Sequence, residues 1–311
     1  MSRKKPDTVS GVIVINKHAG ITSFGIVAAM RRLFDTSRVG HTGTLDPMAT
    51  GVLPILIGRA VKASDYCMAH DKRYTATMRL GIETDTEDTT GNVIRTADTL
   101  PSADDVIRCA ERFVGEISQI PPMYSAIKIG GQKLVDIARR GETIERESRT
   151  VTVRELSVTP ISPDTYRLDV ACSKGTYIRT LCADIGSALG CGGAMASLVR
   201  TASGSFTLDG ALTVEEIEKL PFEERLRLPR PVEELFSEYP EIGLSPFFAN
   251  LYLSGTPLYQ DRVGAHLEAD RLVRLKCGSL FLGLGRAGVR DGVPVILSEK
   301  LFYLGRIPNE Q

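Results

Sequence analysis

The chain is sparing in the residues that usually hold metals. It has only 6 Cys and 4 His in 311 residues. The cysteines (Cys67, Cys109, Cys172, Cys182, Cys191 and Cys277) form no C-x-x-C pair, and no His stands at ligand spacing from any of them, which argues against a zinc site and for free thiols in a reducing compartment. Net charge is also missing. Lys and Arg number 38 against 38 Asp and Glu, so no chain-wide basic field marks a nucleic-acid binder. Long apolar runs are absent too. After Arg3, Lys4 and Lys5 the first apolar stretch covers only residues 11–15 before Asn16 and Lys17 interrupt it, too short for a signal-peptide core, and no later segment is long enough to span a membrane. A cytoplasmic protein is expected. No G-K-[ST] closes a glycine-rich loop, which excludes a phosphate-binding P-loop, and no internal repeat or low-complexity tract is visible.

What is present describes an ordinary globular protein, 42% hydrophobic and 24% charged. Its length predicts one large domain and a smaller one. Charge is unevenly placed. Residues 121–154 carry seven basic side chains against four acidic, whereas residues 213–240 carry eight Glu against four basic side chains. A local basic arm can therefore coexist with overall neutrality.

Periodicity predicts a buried strand at 11–15 and then a helix capped by Thr22 or Ser23, with Ile26, Val27, Met30 and Leu33 on one face. Alternation predicts strands at 73–81, 150–158 and 165–172, the last continuing through Ile178 before a helix over 181–189. A helix is expected over 101–114, and a tight turn at 129–132 followed by a short helix near 134–139. Strands dispersed among helices without a βα repeat favour an α+β fold with a mixed sheet. Thr213 and Glu216 form a capping box, the Pro-punctuated stretch 221–240 reads as a linker, and 241–311 reads as a small β-barrel.

The densest chemical signal is Arg38-Val39-Gly40-His41-Thr42-Gly43-Thr44-Leu45-Asp46-Pro47. Its two glycines let backbone approach a ligand, and Pro47 drives Asp46 out of the α region, fixing the carboxylate at the loop exit. The competing role for Asp46 is to cap a helix starting at Pro47. Farther on, Tyr177 and Arg179 stand two apart on the expected strand and so share a face. The acidic run 83–88 does not fit a calcium loop and reads as a polar loop.

The string from Gly40 to Pro47 resembles the G-H-T-G-[TA]-L-D-P of the TruB family, the bacterial pseudouridine synthases that modify uridine-55 in the T-loop of tRNA. Four further segments agree in kind and order: Lys17 to Ser23, with His18 where the family usually has Pro; Asp71 to Tyr74; Pro121 to Lys128 with Gly131 to Leu134 after it; and Cys172 to Thr180. The resemblance implies a mainly antiparallel central sheet with flanking helices in a catalytic domain over 1–240, an RNA-clamping insertion near 120–150, and a PUA-like barrel over 241–311 that touches the acceptor end of tRNA. It makes Asp46 the catalytic carboxylate and Arg179 its partner. Tyr74 would stack on the target uracil, and Tyr177 would handle a proton or support the ion pair. Leu198 would form an apolar pocket wall, His41 would stack in the RNA, and Lys17 would contact a phosphate or position the loop. Arg38, Lys128 and Lys133 complete the expected RNA contacts. No metal or cofactor is implied, and the expected partner is the T-arm stem-loop of tRNA, bound by a monomer with no obligate protein partner. Two rival readings stand beside this one: a tRNA-binding or tRNA-folding protein without activity, and a small-molecule enzyme using the Gly/Thr loop for phosphates.

Overall fold

The computed structural model describes residues 9–308, so Arg3, Lys4 and Lys5 lie outside the described residues. Its centre is a mixed, mainly antiparallel sheet. In chain order the main strands are β1 (Gly11–Lys17), β2 (Thr50–Ile57), β3 (Lys72–Leu80), β4 (Gly115–Gln119), β5 (Arg149–Ser162), β6 (Thr165–Cys172) and β7 (Gly193–Ser203). They lie side by side as β1-β2-β7-β3-β6-β5-β4, and only the β2–β7 pairing, through Thr50 and Arg200's neighbour Val199, is parallel. Short strands Val39–His41 and Phe206–Thr207 extend β2 and β7.

Side chains alternate across a strand, and here both faces of the β1–β2 edge are buried. Ile13, Ile15, Leu53 and Ile55 pack on one side with helix α1 (Ser23–Leu33), which turns Ile26, Val27 and Met30 inward. The same core continues under α2 (Ala103–Glu111) and α3 (Ile178–Ala188). Thr22 caps α1, its Oγ1 accepting from Gly25 N–H at 2.9 Å. Ser23 instead ties the helix to the loop that carries Asp46, because its Oγ donates to Leu45 O at 3.1 Å and accepts from Leu45 N–H at 2.8 Å.

The expected continuation of strand 165–172 through Ile178 is not found. β6 ends at Cys172; Gly175 at φ +83° and the Thr176 hydroxyl donating to Ser173 O at 2.9 Å make a turn, and α3 begins at Ile178. Tyr177 and Arg179 are therefore a helix N-cap and a first-turn residue, and their convergence has a different origin from a shared strand face.

The stretch 221–240 is likewise no linker. Leu235 and Phe236 are buried against Val12, Val14, Val52 and Leu56 on the second face of the sheet edge, and the same cluster takes in Leu284 and Phe302 from the C-terminal part. The Phe236 ring lies 5.5 Å from that of Phe302 and 5.7 Å from that of Tyr66. Polar ties reinforce the junction: Tyr66 Oη donates to Glu299 at 2.7 Å, and Glu233 pairs with Arg274 at 2.9 Å and Lys276 at 3.1 Å. The prolines set the path of this segment, but its apolar residues are what the sheet edge needs covered.

The C-terminal part is an open sheet, not the closed barrel expected. Strands β8 (Glu241–Gly243), β9 (Leu258–Tyr259), β10 (Leu272–Cys277), β11 (Leu280–Arg290) and β12 (Val293–Leu301) run β8-β10-β11-β12-β9, with the short β8 and β9 as edges. Helix α4 (Pro246–Leu253) packs on the sheet and buries Tyr252, whose hydroxyl donates to Leu284 O at 2.9 Å. Edges of three and two residues are too short to meet each other around it.

Because one cluster spans both parts, Phe236→Ala should cost about 3–5 kcal/mol and leave a single cooperative unfolding transition, as read by denaturant titration with two probes. Two separate transitions in the parent protein would refute the shared core.

Candidate active site

Asp46 stands where the chain leaves its glycine loop for β2. Ala49 N–H donates to Asp46 O at 3.1 Å, closing one turn through Pro47 and Met48, and no helix follows; the capping role for Asp46 does not apply. The loop is held from three sides. Ser23 binds Leu45, as described above. Lys17 is fully buried and its Nζ donates to His18 O at 3.0 Å, Pro47 O at 3.2 Å and Ala49 O at 2.5 Å. Arg200, also buried, donates from Nη2 to Gly43 O at 3.1 Å and from Nε to Val52 O at 2.7 Å. Gly51, at φ +102°, allows this approach, since a Cβ there would lie 2.3 Å from Arg200 O.

The N-terminus of α3 supplies the partner. Gln119 accepts from Tyr177 N–H at 3.1 Å and donates to Tyr177 O at 3.2 Å, so the end of β4 fixes the start of the helix. Arg179, one position into the helix, then points its guanidinium at Asp46: Nη2 donates to Oδ1 at 3.3 Å and Nε lies 2.9 Å from Oδ2. The shorter approach is an ionic contact with its N–H off line, while the Nη2 bond is the directional one. Arg179 also donates to Thr86 O at 3.0 Å and Tyr124 O at 2.9 Å, and Asp88 Oδ2 lies 3.8 Å away. Side-chain exposure is 4% for Arg179 and 33% for Asp46, so only the carboxylate reaches the opening. Burial pushes the Asp46 carboxyl above its ordinary range; Arg179 opposes that shift, Asp88 adds to it and Lys17 opposes it.

Asp46 and Arg179 lie in the wall of a cavity of about 870 Å³, shared with Tyr74, Tyr177, Leu198 and Lys133. Tyr74 sits on β3 beside Leu198 and Arg200 of β7, because Ala76 pairs with Leu198 and Tyr74 with Arg200. Burial raises the pKa of both tyrosines. Basic side chains dominate the lining charge, with Lys133, Arg139, Arg149 and Lys174 against Asp46 and Asp88. Among the described residues, no group of three or more His, Cys, Asp or Glu could hold a metal ion, and no helix is long and apolar enough to cross a membrane.

Four expected site residues fall outside the cavity lining. Lys17 makes no phosphate contact, since its three donors are spent on the loop and it has no exposed surface. His41 is half-buried and its Nδ1 accepts from Gly43 N–H at 3.2 Å; burial and Arg200 hold its pKa down, so it braces the loop as a neutral ring. Arg38 is exposed, and its carbonyl accepts from Gly58 N–H at 2.8 Å. Lys128 is exposed in the hairpin Lys128–Ile129/Gln132–Lys133, directly across from Lys133.

Sequence reasoning passed over Asp88, Lys72 and Arg200. Asp88 was hidden in a run read as a polar loop. Lys72 and Arg200 each stand two residues from a chosen position, Tyr74 and Leu198, and so share its strand face.

Replacing Arg179 by Gln removes the main charge that opposes desolvation, so the Asp46 carboxyl should titrate at a still higher pH than in the parent. A carbon-13 NMR titration of labelled aspartate checks this. An unmoved or lowered titration would refute the assignment of the pair.

Comparison with known proteins agrees with this geometry. Residues 31–178 match the N-terminal domain of TruB family pseudouridylate synthases, and residues 179–237 match the tRNA pseudouridylate synthase B C-terminal domain. A tRNA pseudouridine synthase B from Aromatoleum aromaticum is 44% identical over 277 residues, covering 89% of this chain and 88% of the relative. One from an Azoarcus species is 43% identical over 286 residues, covering 92% and 94%. Among solved structures, a Cbf5-Nop10-Gar1 complex contains a chain that is 26% identical with a TM-score of 0.72, covering 96% of this chain and 87% of that one. A chain of an archaeal box H/ACA sRNP Nop10-Cbf5 complex has the same TM-score at 22% identity over 100% and 96%, a likeness of fold alone. With identity at this level over nearly the full length of its relatives, and two domain matches that abut at Arg179, the chain belongs to the TruB family of pseudouridylate synthases.

Proposed function

We propose that this chain isomerises uridine-55 in the T-loop of tRNA to pseudouridine, without metal or cofactor, and that Asp46 is the catalytic carboxylate. The observation that carries the proposal is a partly exposed acid clamped by a buried guanidinium in the wall of a cavity large enough for a nucleoside and edged with Lys and Arg. A uridine inside folded RNA must leave its stack to be reached at C1′, at a cost of a few kcal/mol. Stacking on Tyr74, apolar contact with Leu198 and phosphate contacts to Lys133 and its neighbours offset that cost. The C1′–N1 bond then breaks under the action of Asp46, the base turns, and C5 joins C1′. Tyr177, beside Ser125 and Arg179, supports the ion pair or handles a proton. Lys128, Arg38 and the C-terminal half barrel, a PUA-type surface for the acceptor end, extend the contact with a T-arm stem-loop bound by a monomer.

The decisive experiment is tritium release from tRNA carrying C5-labelled uridine. The parent protein should release tritium, and Asp46→Asn should abolish release while retaining tRNA binding. Equal release by the variant would refute the catalytic role, and binding without release by the parent would favour an RNA-folding protein. Asp46 must be ionised, and its carboxyl is raised, so the single-turnover rate should fall on acidification at a higher pH than an ordinary aspartate dictates. A rate that stays flat into the ordinary aspartate range would count against it.

Phosphate contacts make binding salt-dependent. Lys133→Ala or Lys174→Ala should each lower the slope of log affinity against log salt by about 1, measured by filter binding. An unchanged slope would remove that residue from the RNA contact.

A further inference from the structure

Around Tyr74 and the Asp46 loop the protein buries cations that make no direct ion pair among the described residues. Arg200 is 1% exposed, Lys72 6% and Lys17 0%. Arg200 donates to three carbonyls, those of Val52, Gly43 and Thr44. Lys72 donates to Met68 O at 2.8 Å and His70 O at 2.5 Å. None of the three forms an ion pair among the described residues, whereas Arg179 is answered by Asp46 and Asp88. Burying an ion without a counter-ion is costly, and apolar residues of similar size would have sealed this face at less cost.

The cations are also aimed. Lys72 and Tyr74 alternate on β3, Leu198 and Arg200 alternate on β7, and the pairing of Tyr74 with Arg200 puts all four on one side of the sheet, where all four line the cavity. Arg200 opposes the upward push of burial on the Tyr74 hydroxyl, so its charge is felt at the ring. Burial lowers the pKa of Lys17 and of Lys72 to about 8 in each case, with Asp46 opposing and Arg200 adding to the shift at Lys17 and Arg200 adding to it at Lys72, which leaves both lysines mainly protonated at neutral pH. Carbonyl oxygens hold each cation in place, so the field needs no rearrangement when a charge forms in front of it.

We propose that Arg200 and Lys72 form a fixed positive field under the base platform that stabilises the pyrimidine as an anion between cleavage of its glycosidic bond and its reattachment. The proposal rests on the isomerase reading above. When C1′–N1 breaks, the bonding pair stays with the base, spread over N1, O2 and O4. The deficiency at C1′ is met either by a bond to an Asp46 oxygen or by loss of the C2′ proton to it. Both routes release the same pyrimidine monoanion. Forming C5–C1′ uses a pair from that anion and either displaces the Asp46 oxygen from C1′ or is matched by return of the proton from Asp46 to C2′; the C5 proton is finally lost while N1 gains one, so the sequence balances without a co-reactant. Arg200 and Lys72 act through space and through Tyr74, as positioning residues, and leave the covalent steps to Asp46.

The test compares single-turnover loss of the N-glycosidic bond in tRNA carrying uridine or 5-fluorouridine at the target position, for the parent, Lys72→Met, Arg200→Gln and Arg200→Lys. Fluorine stabilises the departing anion by itself, so it should make the protein's field less necessary. Lys72→Met and Arg200→Gln should slow the uridine reaction by about 10- to 100-fold and the fluorouridine reaction markedly less, with Arg200→Lys recovering part of the loss. Should Arg200→Gln fail to fold, Lys72→Met, whose side chain holds only two carbonyls, decides the matter alone. Equal slowing of both substrates, the mark of a merely structural role, overturns the proposal, as does no slowing of either. A parent protein that breaks neither bond overturns the isomerase reading itself.

Discussion

The ion pair between Arg179 and Asp46 joins two points 133 positions apart in the chain, and much of the catalytic domain serves to bring them together. One end is a loop with little regular structure, fixed by a buried lysine, a buried arginine and a serine from α1. The other is the first turn of a helix, fixed by the side chain of Gln119 from the sheet. Neither anchor is strong alone. Together they place a carboxylate in a partly dry site at the cost of its natural acidity, and the guanidinium keeps it charged there.

Around that pair the cavity lining holds charges of both signs. Asp46 and Asp88 stand against Arg179, while Lys72 and Arg200 line the cavity on the Tyr74 and Leu198 side of the sheet. Lys133, Arg139, Arg149 and Lys174 line the same cavity, so a chain with no net charge still concentrates positive charge there. Local placement does what bulk composition cannot.

Much of this was legible in the sequence wherever local chemistry decides local structure. The Thr22 cap, the capping box at Thr213 and the alternation of β3 follow from neighbouring residues alone. Asp46, Tyr74, Tyr177, Arg179 and Leu198 meet in one cavity, as the motif strings implied. The rest depended on distant partners. A short triplet such as Tyr177-Ile178-Arg179 fits strand or helix equally, and Gln119, 58 positions earlier, decides between them. Lys17 reads equally as a phosphate contact or a loop brace until the Pro47 and Ala49 carbonyls come within reach of it. The prolines of 221–240 look like a linker until the bare second face of β1 and β2 is placed against Phe236.

That second face has a bearing on where the chain could be shortened. Ending it at Pro240 would strip away Phe281, Leu284 and Phe302 and leave Phe236, Tyr66 and Tyr239 as an uncovered aromatic plate on the rear of the sheet. A fragment of that kind would tend to self-associate through the exposed rings. The terminal strands thus act as a cover that keeps the rear of the large sheet from water.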